Sequence, residues 1–401
     1  MYPDHKKRSE LIQICQELVR KPSLSGQEYE VATVIKEIML SKGYGHVVTD
    51  SCGNIIGVMD FGGCGKTLLL EAQIDHVGVG DPAEWQTYPY GAFINEGKLY
   101  GRGASDQKGA MAAMLCAAAD LKRDGHKGLK GRLLVVGTVQ QEKFEGFASR
   151  YVVDHYHPDL VLIGEASGLS IVRGQRGRAE ILVETRGRMA HSANPDFGIN
   201  AVNQMVKFLA LLREKFTPSS HTYLGEGIIV LTGLYSHPPS NTGVLPDKCL
   251  ATFDRRLLPG ETPRSVLGQL RKIARTLSGK DPNFKAKISL SCSEDRCYTG
   301  KIMKMEHFVP AWSLPEDHPF IQTALDGLSS MGLDPMVASK AGFGTNGCYY
   351  AGVAEIPTLA FGPSREELVH IKDEYIEIEQ LISGYLGYYG IARQVLEQQE
   401  V

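Results

Sequence analysis

Apolar positions recur at helical spacing near the start of the chain. Leu11, Ile12, Cys15 and Leu18 share one face of residues 9–19, and a second amphipathic run over 29–42 is stopped by Gly43. The period then changes. Residues 54–60 and 67–74 read as strands, parted by the turn Phe61-Gly-Gly-Cys-Gly. The Ala-rich run 110–121 predicts a buried helix. The β-branched run 131–139 predicts a central strand, and 160–164 a shorter one. Strands alternating with helices predict an α/β domain around a mixed, largely parallel sheet.

Near Arg178 the pattern becomes strictly alternating. Strands are predicted at 179–185, 227–233, 249–256 and 285–292, with helices at 200–216 and 263–277. This β-α-β-β-α-β order is the split βαβ, ferredoxin-like arrangement. It predicts an inserted α+β domain over 179–298, leaving 1–178 and 299–401 as one discontinuous domain. Beyond Gly300 the first pattern returns, with helices expected at 319–331 and 377–399.

Composition adds exclusions. The 401 residues are 43% hydrophobic and 22% charged, with a net charge of −3 and no long run of one sign, so neither a nucleic acid nor a membrane surface is an expected partner. No apolar run approaches the roughly 18 residues a bilayer requires. The basic residues near the N-terminus precede no apolar segment, unlike a signal peptide. Eight scattered cysteines without a Cys-x-x-Cys pair read as reduced thiols of a cytoplasmic protein.

The candidate chemistry is carboxylate-rich. Asp75 closes the strand in Leu70-Glu-Ala-Gln-Ile-Asp-His-Val, with Gln73 on the same face and His76 beside it. Asp106 lies in the Gly-rich segment Tyr100-Gly-Arg-Gly-Ala-Ser-Asp-Gln-Lys-Gly, ahead of the Ala-rich helix. Glu142 and Glu165 follow the strands at 131–139 and 160–164. His370 comes far along the chain, after Phe361-Gly-Pro-Ser. Carboxylates at the ends of neighbouring strands converge at the usual ligand crevice of an α/β sheet. Asp, Glu and His together suit zinc, manganese or a related divalent ion. Taken singly, such carboxylates are more often caps or solvated groups. Gly63-Cys-Gly-Lys-Thr is not a phosphate-binding loop, because Asp60 stands where its first glycine is required. No nucleophile elbow supports Ser-His-Asp chemistry.

The chain resembles the metal-dependent amidohydrolase family of acetylornithine deacetylase, succinyl-diaminopimelate desuccinylase, aminoacylase and the glutamate-type carboxypeptidases. The motifs are Tyr100-Gly-Arg-Gly-Ala-Ser-Asp-Gln-Lys-Gly, Ile163-Gly-Glu-Ala, Gly174-Gln-Arg-Gly-Arg, Ala190-His-Ser-Ala-Asn-Pro, Asp254-Arg-Arg-Leu-Leu-Pro-Gly-Glu-Thr and Phe361-Gly-Pro followed by His370. The resemblance implies a zinc-peptidase-like catalytic domain, an inserted lid and dimerisation domain, and two metals, usually zinc, with manganese or cobalt as alternatives. Asp106 would bridge the metals, Glu142 and His370 would complete one site, and Glu165 would belong to the other. Asp75 would orient the ligand two residues earlier. His191 would polarise the substrate carbonyl, often in the partner subunit's site of a homodimer. Asn241, Arg256 and Gly362 would hold a small carboxylate-bearing substrate, a surface ion pair being the other reading of Arg256.

Two positions depart from that pattern. Gln73 replaces a histidine ligand, and an amide oxygen is a poorer zinc ligand. His76 is the one neighbour that could stand in. Gln141 replaces the glutamate that carries a proton from water to the leaving nitrogen, and an amide has no basic site for it. Loss of a general base costs ~10²–10⁴ in rate. Gly-Pro-Ser, with Ser364, stands where the family commonly has a second glycine. Three functions follow: a hydrolase of C–N amide bonds with an altered site, a non-hydrolytic metalloenzyme that polarises a carbonyl, and an inactive homologue that binds a metabolite or a partner. One firm metal site is expected, held by Asp106, Glu142 and His370, with the second weakened at Gln73.

Overall fold

Every residue of the strand Thr67–Gln73 is buried, because it pairs on both sides and is covered on both faces. It is central to a six-stranded sheet ordered His46–Thr49, Ile55–Gly62, Gly131–Thr138, Thr67–Gln73, Leu160–Ile163, Thr358–Ala360. The last three pairings are parallel and the first two antiparallel. The structure, a computed structural model, describes residues 3–239, 243–339 and 342–397.

The chain divides into two units, Met1–Gln175 with Glu294–Met303 and Ser313–Val401, and Arg176–Ser293 with Lys304–Trp312. In the first unit the Ala-rich helix Gly109–Asp124 packs on the C-terminal helix Ile378–Glu397, which also packs on Pro319–Ser330. Glycine permits the second of these crossings. A Cβ on Gly327 would lie 2.8 Å from the Gly390 carbonyl oxygen.

In the second unit Gly177–Arg186 lies between Lys248–Leu257 and Lys285–Leu290, and Ile228–His237 is the outer strand beside Lys248–Leu257, all antiparallel. Ala179, Ile181 and Val183 face Phe208, Leu270 and their neighbours on the helices Ala201–Lys215 and Pro263–Lys280. Those helices start at good N-caps. Asn200 accepts from the Val202 and Asn203 amides, and Thr262 forms a capping box ahead of Pro263.

The units differ from the expected boundaries of 178 and 298. Residues 294–303 return to the first unit because Tyr298 Oη donates to the Gly53 carbonyl at 2.8 Å and Thr299 Oγ1 to the Ser51 carbonyl at 2.8 Å. Residues 304–312 rejoin the second unit because Phe308 and Val309 pair with Ala179 and Arg178. Pattern reading did not predict the strands His46–Thr49 and Thr358–Ala360 or the helix Ser149–Tyr156, all short. The strand expected over 285–292 ends at Leu290. The C-terminal helix is described to Glu397, and the predicted end at 399 lies outside the described residues.

Candidate metal centre

Asp106 is presented by the turn Ala104–Lys108, which leads into the helix Gly109–Asp124, and its own backbone is non-helical. The turn is pinned by Glu374. One carboxylate oxygen accepts from the Ser105 amide at 2.9 Å and the Asp106 amide at 3.2 Å, and the other takes Arg102 Nη1 at 2.6 Å. The Arg102–Glu374 pair is fully buried, so its hydrogen bonds resist loosening of the turn. Glycine is required at 101, where φ is +156 and a Cβ would stand 2.4 Å from Val19 Cγ1.

Glu142 follows the strand Gly131–Thr138, and buried carboxylates hold its backbone. Asp75 accepts from the Gln141 amide at 3.1 Å, the Glu142 amide at 3.1 Å and Ser25 Oγ at 2.7 Å. Glu28 takes the amide of Gln140 at 3.1 Å. Three successive N–H groups are thus fixed by two carboxylates. Burial pushes the Asp75 carboxyl up to about 6 and that of Glu28 to about 7.

His370 meets both metal-site carboxylates. Its Nε2 lies 2.9 Å from Asp106 Oδ2 and 3.2 Å from Glu142 Oε1. Hydrogen bonds to Asp106 and Glu142 push the imidazole up to about 10. Burial, followed by the charges of Asp106 and Asp75, raises Glu142 to about 7 against the pull of His370. Candidate ligand atoms of Asp106, Glu142 and His370 all lie within 4.8 Å of one another. One imidazole nitrogen and two carboxylate oxygens at that spacing fit a divalent cation, which would compensate the same buried charges.

The remaining expected site residues fall elsewhere. Asp75 holds the 141–142 backbone rather than orienting Gln73, because its oxygens are taken by Ser25 and those two amides. His76 is not placed as a ligand. The Ser23 amide donates to its Nε2 at 2.9 Å and its Nδ1 is 2.8 Å from the Val77 carbonyl, so both nitrogens are occupied. Burial drives its pKa down to about 3. Gln73 is buried at the end of its strand, and its Nε2 donates to Asp106 Oδ1 at 3.1 Å and to Glu142 Oε1 at 3.1 Å. It enters the site as a donor where a possible weak ligand was expected. Glu165 is buried beside Asp106, whose charge adds to burial in raising its carboxyl, but it lies outside the three-residue group.

Gln141 Nε2 donates to the Gly344 carbonyl at 3.2 Å. Gly362 packs against Glu165, and a Cβ there would stand 2.5 Å from the Glu165 carbonyl oxygen. The Ser364 hydroxyl lies 2.6 Å from Ser105 Oγ, tying the 361–364 segment to the Asp106 turn. In the second unit, exposed His191 accepts from the Ala193 amide at 3.0 Å. Arg256 pairs with Asp254 at 2.9 Å. Asn241 lies outside the described residues. Sequence reasoning missed Gln107, Ser25, Glu28 and Glu374. Gln107 was signalled by its place next to Asp106, whereas the other three are distant in sequence from what they hold.

Residues 69–394 match the model of peptidase family M20/M25/M40, and the chain belongs to that family. The uncharacterized protein YgeY of Escherichia coli K12 is 30% identical over 387 residues, covering 96% of this chain and 94% of its own. The probable succinyl-diaminopimelate desuccinylase of Staphylococcus epidermidis RP62A is 23% identical over 421 residues, covering 96% and 98%. The fold is that of the YXEP protein of Bacillus subtilis, a dinuclear metal-binding peptidase of the M20 family, with a TM-score of 0.73, 15% identity and coverage of 98% and 99%.

Proposed function

We propose that the protein is a metal-dependent enzyme of the amidohydrolase type, acting on a C–N amide bond of a small carboxylate-bearing substrate. The observation that carries this reading is the convergence of Asp106, Glu142 and His370 ligand atoms within 4.8 Å. Those residues would hold the ion, zinc being the first choice and manganese or cobalt the alternatives. A divalent ion there supplies Lewis acidity, stabilising negative charge that develops on a carbonyl oxygen. Asp75 positions the Glu142 ligand through the backbone N–H, and Glu374 does the same for Asp106. His191, Asn241, Arg256 and Gly362 keep the roles that the family resemblance assigns, carbonyl polarisation for the first and substrate binding for the rest.

Gln141 is the weak point of hydrolysis. Its amide donates to Gly344 and takes up no proton, so delivery to a leaving nitrogen lacks a carrier at that position. That observation favours a second reading, a non-hydrolytic step in which the ion only polarises a carbonyl. Homodimerisation through the inserted unit is supported by its outer strand Ile228–His237, where Val230 is 50% and Tyr235 64% exposed. A cytoplasmic setting is supported by eight cysteines without a disulfide. No helix among the described residues is long and apolar enough to cross a membrane.

The test is zinc titration of metal-stripped protein by calorimetry, alongside a screen of N-acyl amino acids and dipeptides. Zinc should bind tightly to the unaltered chain. Asp106→Ala should weaken binding by more than the roughly 10–100-fold that loss of a supporting residue costs. Equal affinity in the variant, or no binding at all, sinks the reading.

A further inference from the structure

The two carboxylate oxygens of Asp106 have different partners. Oδ2 faces His370 at 2.9 Å, within the metal group, and Oδ1 accepts from Gln73 Nε2 at 3.1 Å. A bridging carboxylate would offer that second oxygen to a second ion. Here it meets an N–H donor, and the oxygen of that carboxamide, the atom that could bind a cation, is taken by Gln107 Nε2 at 3.4 Å. The position bounded by Gln73, Asp106 and Glu165 therefore does not fit an ion as it is arranged.

What keeps Gln73 in that orientation is Gln107, one residue beyond Asp106 and 1% exposed. Gln107 Nε2 lies 3.4 Å from Gln73 Oε1, and the Gln107 side chain also hydrogen-bonds the buried Glu165 carboxyl. Rotating Gln73 to present its oxygen would place its NH₂ against the NH₂ of Gln107. It would also strip N–H donors from Asp106 and Glu142. Rotating Gln107 as well would remove the donor to Glu165 and move its NH₂ to where its Oε1 lies buried without a hydrogen-bond partner. Each buried group left unpaired costs the desolvation of that group. The two carboxamides are locked as a pair by the acceptors around them.

We infer that the Gln73–Gln107 carboxamide pair fills the place of a second metal ion, with Gln107 as the positioning residue that holds the centre to one. The inference rests on the metal centre proposed above. Three N–H bonds from two neutral side chains go to the carboxylates of Asp106, Glu142 and Glu165, which a cation would otherwise satisfy. The altered residue at position 73 is then held in its orientation by its partner at position 107.

The experiment is zinc content per chain by plasma mass spectrometry, after loading and dialysis, with circular dichroism melts to confirm folding. The unaltered protein and Gln73→His should each retain one ion. Gln73→His/Gln107→Ala should retain two, built on the new imidazole, Asp106 and Glu165. Gln73→His/Gln107→Ser serves as a second version should the alanine form fold poorly. Two ions in Gln73→His alone would show that Gln107 holds nothing. One ion in both folded double variants would show that the carboxamides are not what excludes the second. Two ions in the unaltered protein overturn this inference but leave the metal centre standing, whereas none overturns the centre itself.

Discussion

The six-stranded sheet of the first unit and the five-stranded sheet of the second are built to opposite rules. In the first unit, Thr67–Gln73 and Leu160–Ile163 are buried along their whole length, and Gly131–Thr138 nearly so. The segments beyond their C-terminal ends carry Asp75, Glu142 and Glu165, which is where an α/β sheet gathers its ligand groups. In the second unit, Gly177–Arg186 and Lys248–Leu257 alternate between buried and mostly half-buried positions, and Ile228–His237 is largely exposed. A sheet covered on both faces can support buried charge at its strand ends, because surrounding backbone and side chains satisfy it. A sheet covered on one face offers area for association. The comparison teaches that chemistry and surface are divided between the units by how many faces each sheet buries.

The division can be broken at several points. Gln141→Glu, in the segment that follows the strand Gly131–Thr138, should raise amide hydrolysis of N-acyl amino acids by ~10²–10⁴, the worth of a general base. No gain, with metal binding intact, would move the protein towards carbonyl polarisation without hydrolysis. Next in size is a matched pair of truncations. Leu69→Ala, fully buried in the first sheet, should cost about 2–5 kcal/mol in denaturant unfolding. Val230→Ala, half exposed on the outer strand of the second, stands at the far end of the scale, within about 0.5 kcal/mol. A large, concentration-dependent loss at Val230 would instead show that this strand is covered by a second copy.

Between them falls a pH effect. Burial raises the Glu71 carboxyl from 4.5 to about 7, although Thr138 and Asn346 donate to it. From pH 4.5 to 7 the folded chain keeps a proton that the unfolded chain releases, so stability from this group falls as pH rises. The total is about 3 kcal/mol over the window. Glu71→Gln should flatten that slope in urea unfolding across the window. An unchanged slope would mean that Glu71 is ionised inside the sheet.

Much of this was legible in sequence because period and burial follow the same geometry. Long apolar runs gave the central strands, and alternation from residue 179 gave the inserted unit. Thr358–Ala360 was not legible, since three residues carry no period. Asp106, Glu142 and His370 could be nominated from motifs and strand ends. The sequence could not show that His76 is consumed by Ser23 and Val77, because those contacts depend on how the chain leaves the strand at Gln73. Asp75 was expected to serve a side chain on its own strand and serves the backbone of another.

By itself, then, the sequence determined the residue types available to a metal centre, the two fold patterns and the absence of a base at position 141. Those are matters of covalent chemistry and local period. Tertiary structure decided which oxygen of Asp106 faces His370 and which faces Gln73, and that Gln107 holds Gln73 as a donor. The physical reason is that a carboxamide carries both a donor and an acceptor, and only its three-dimensional neighbours choose between them.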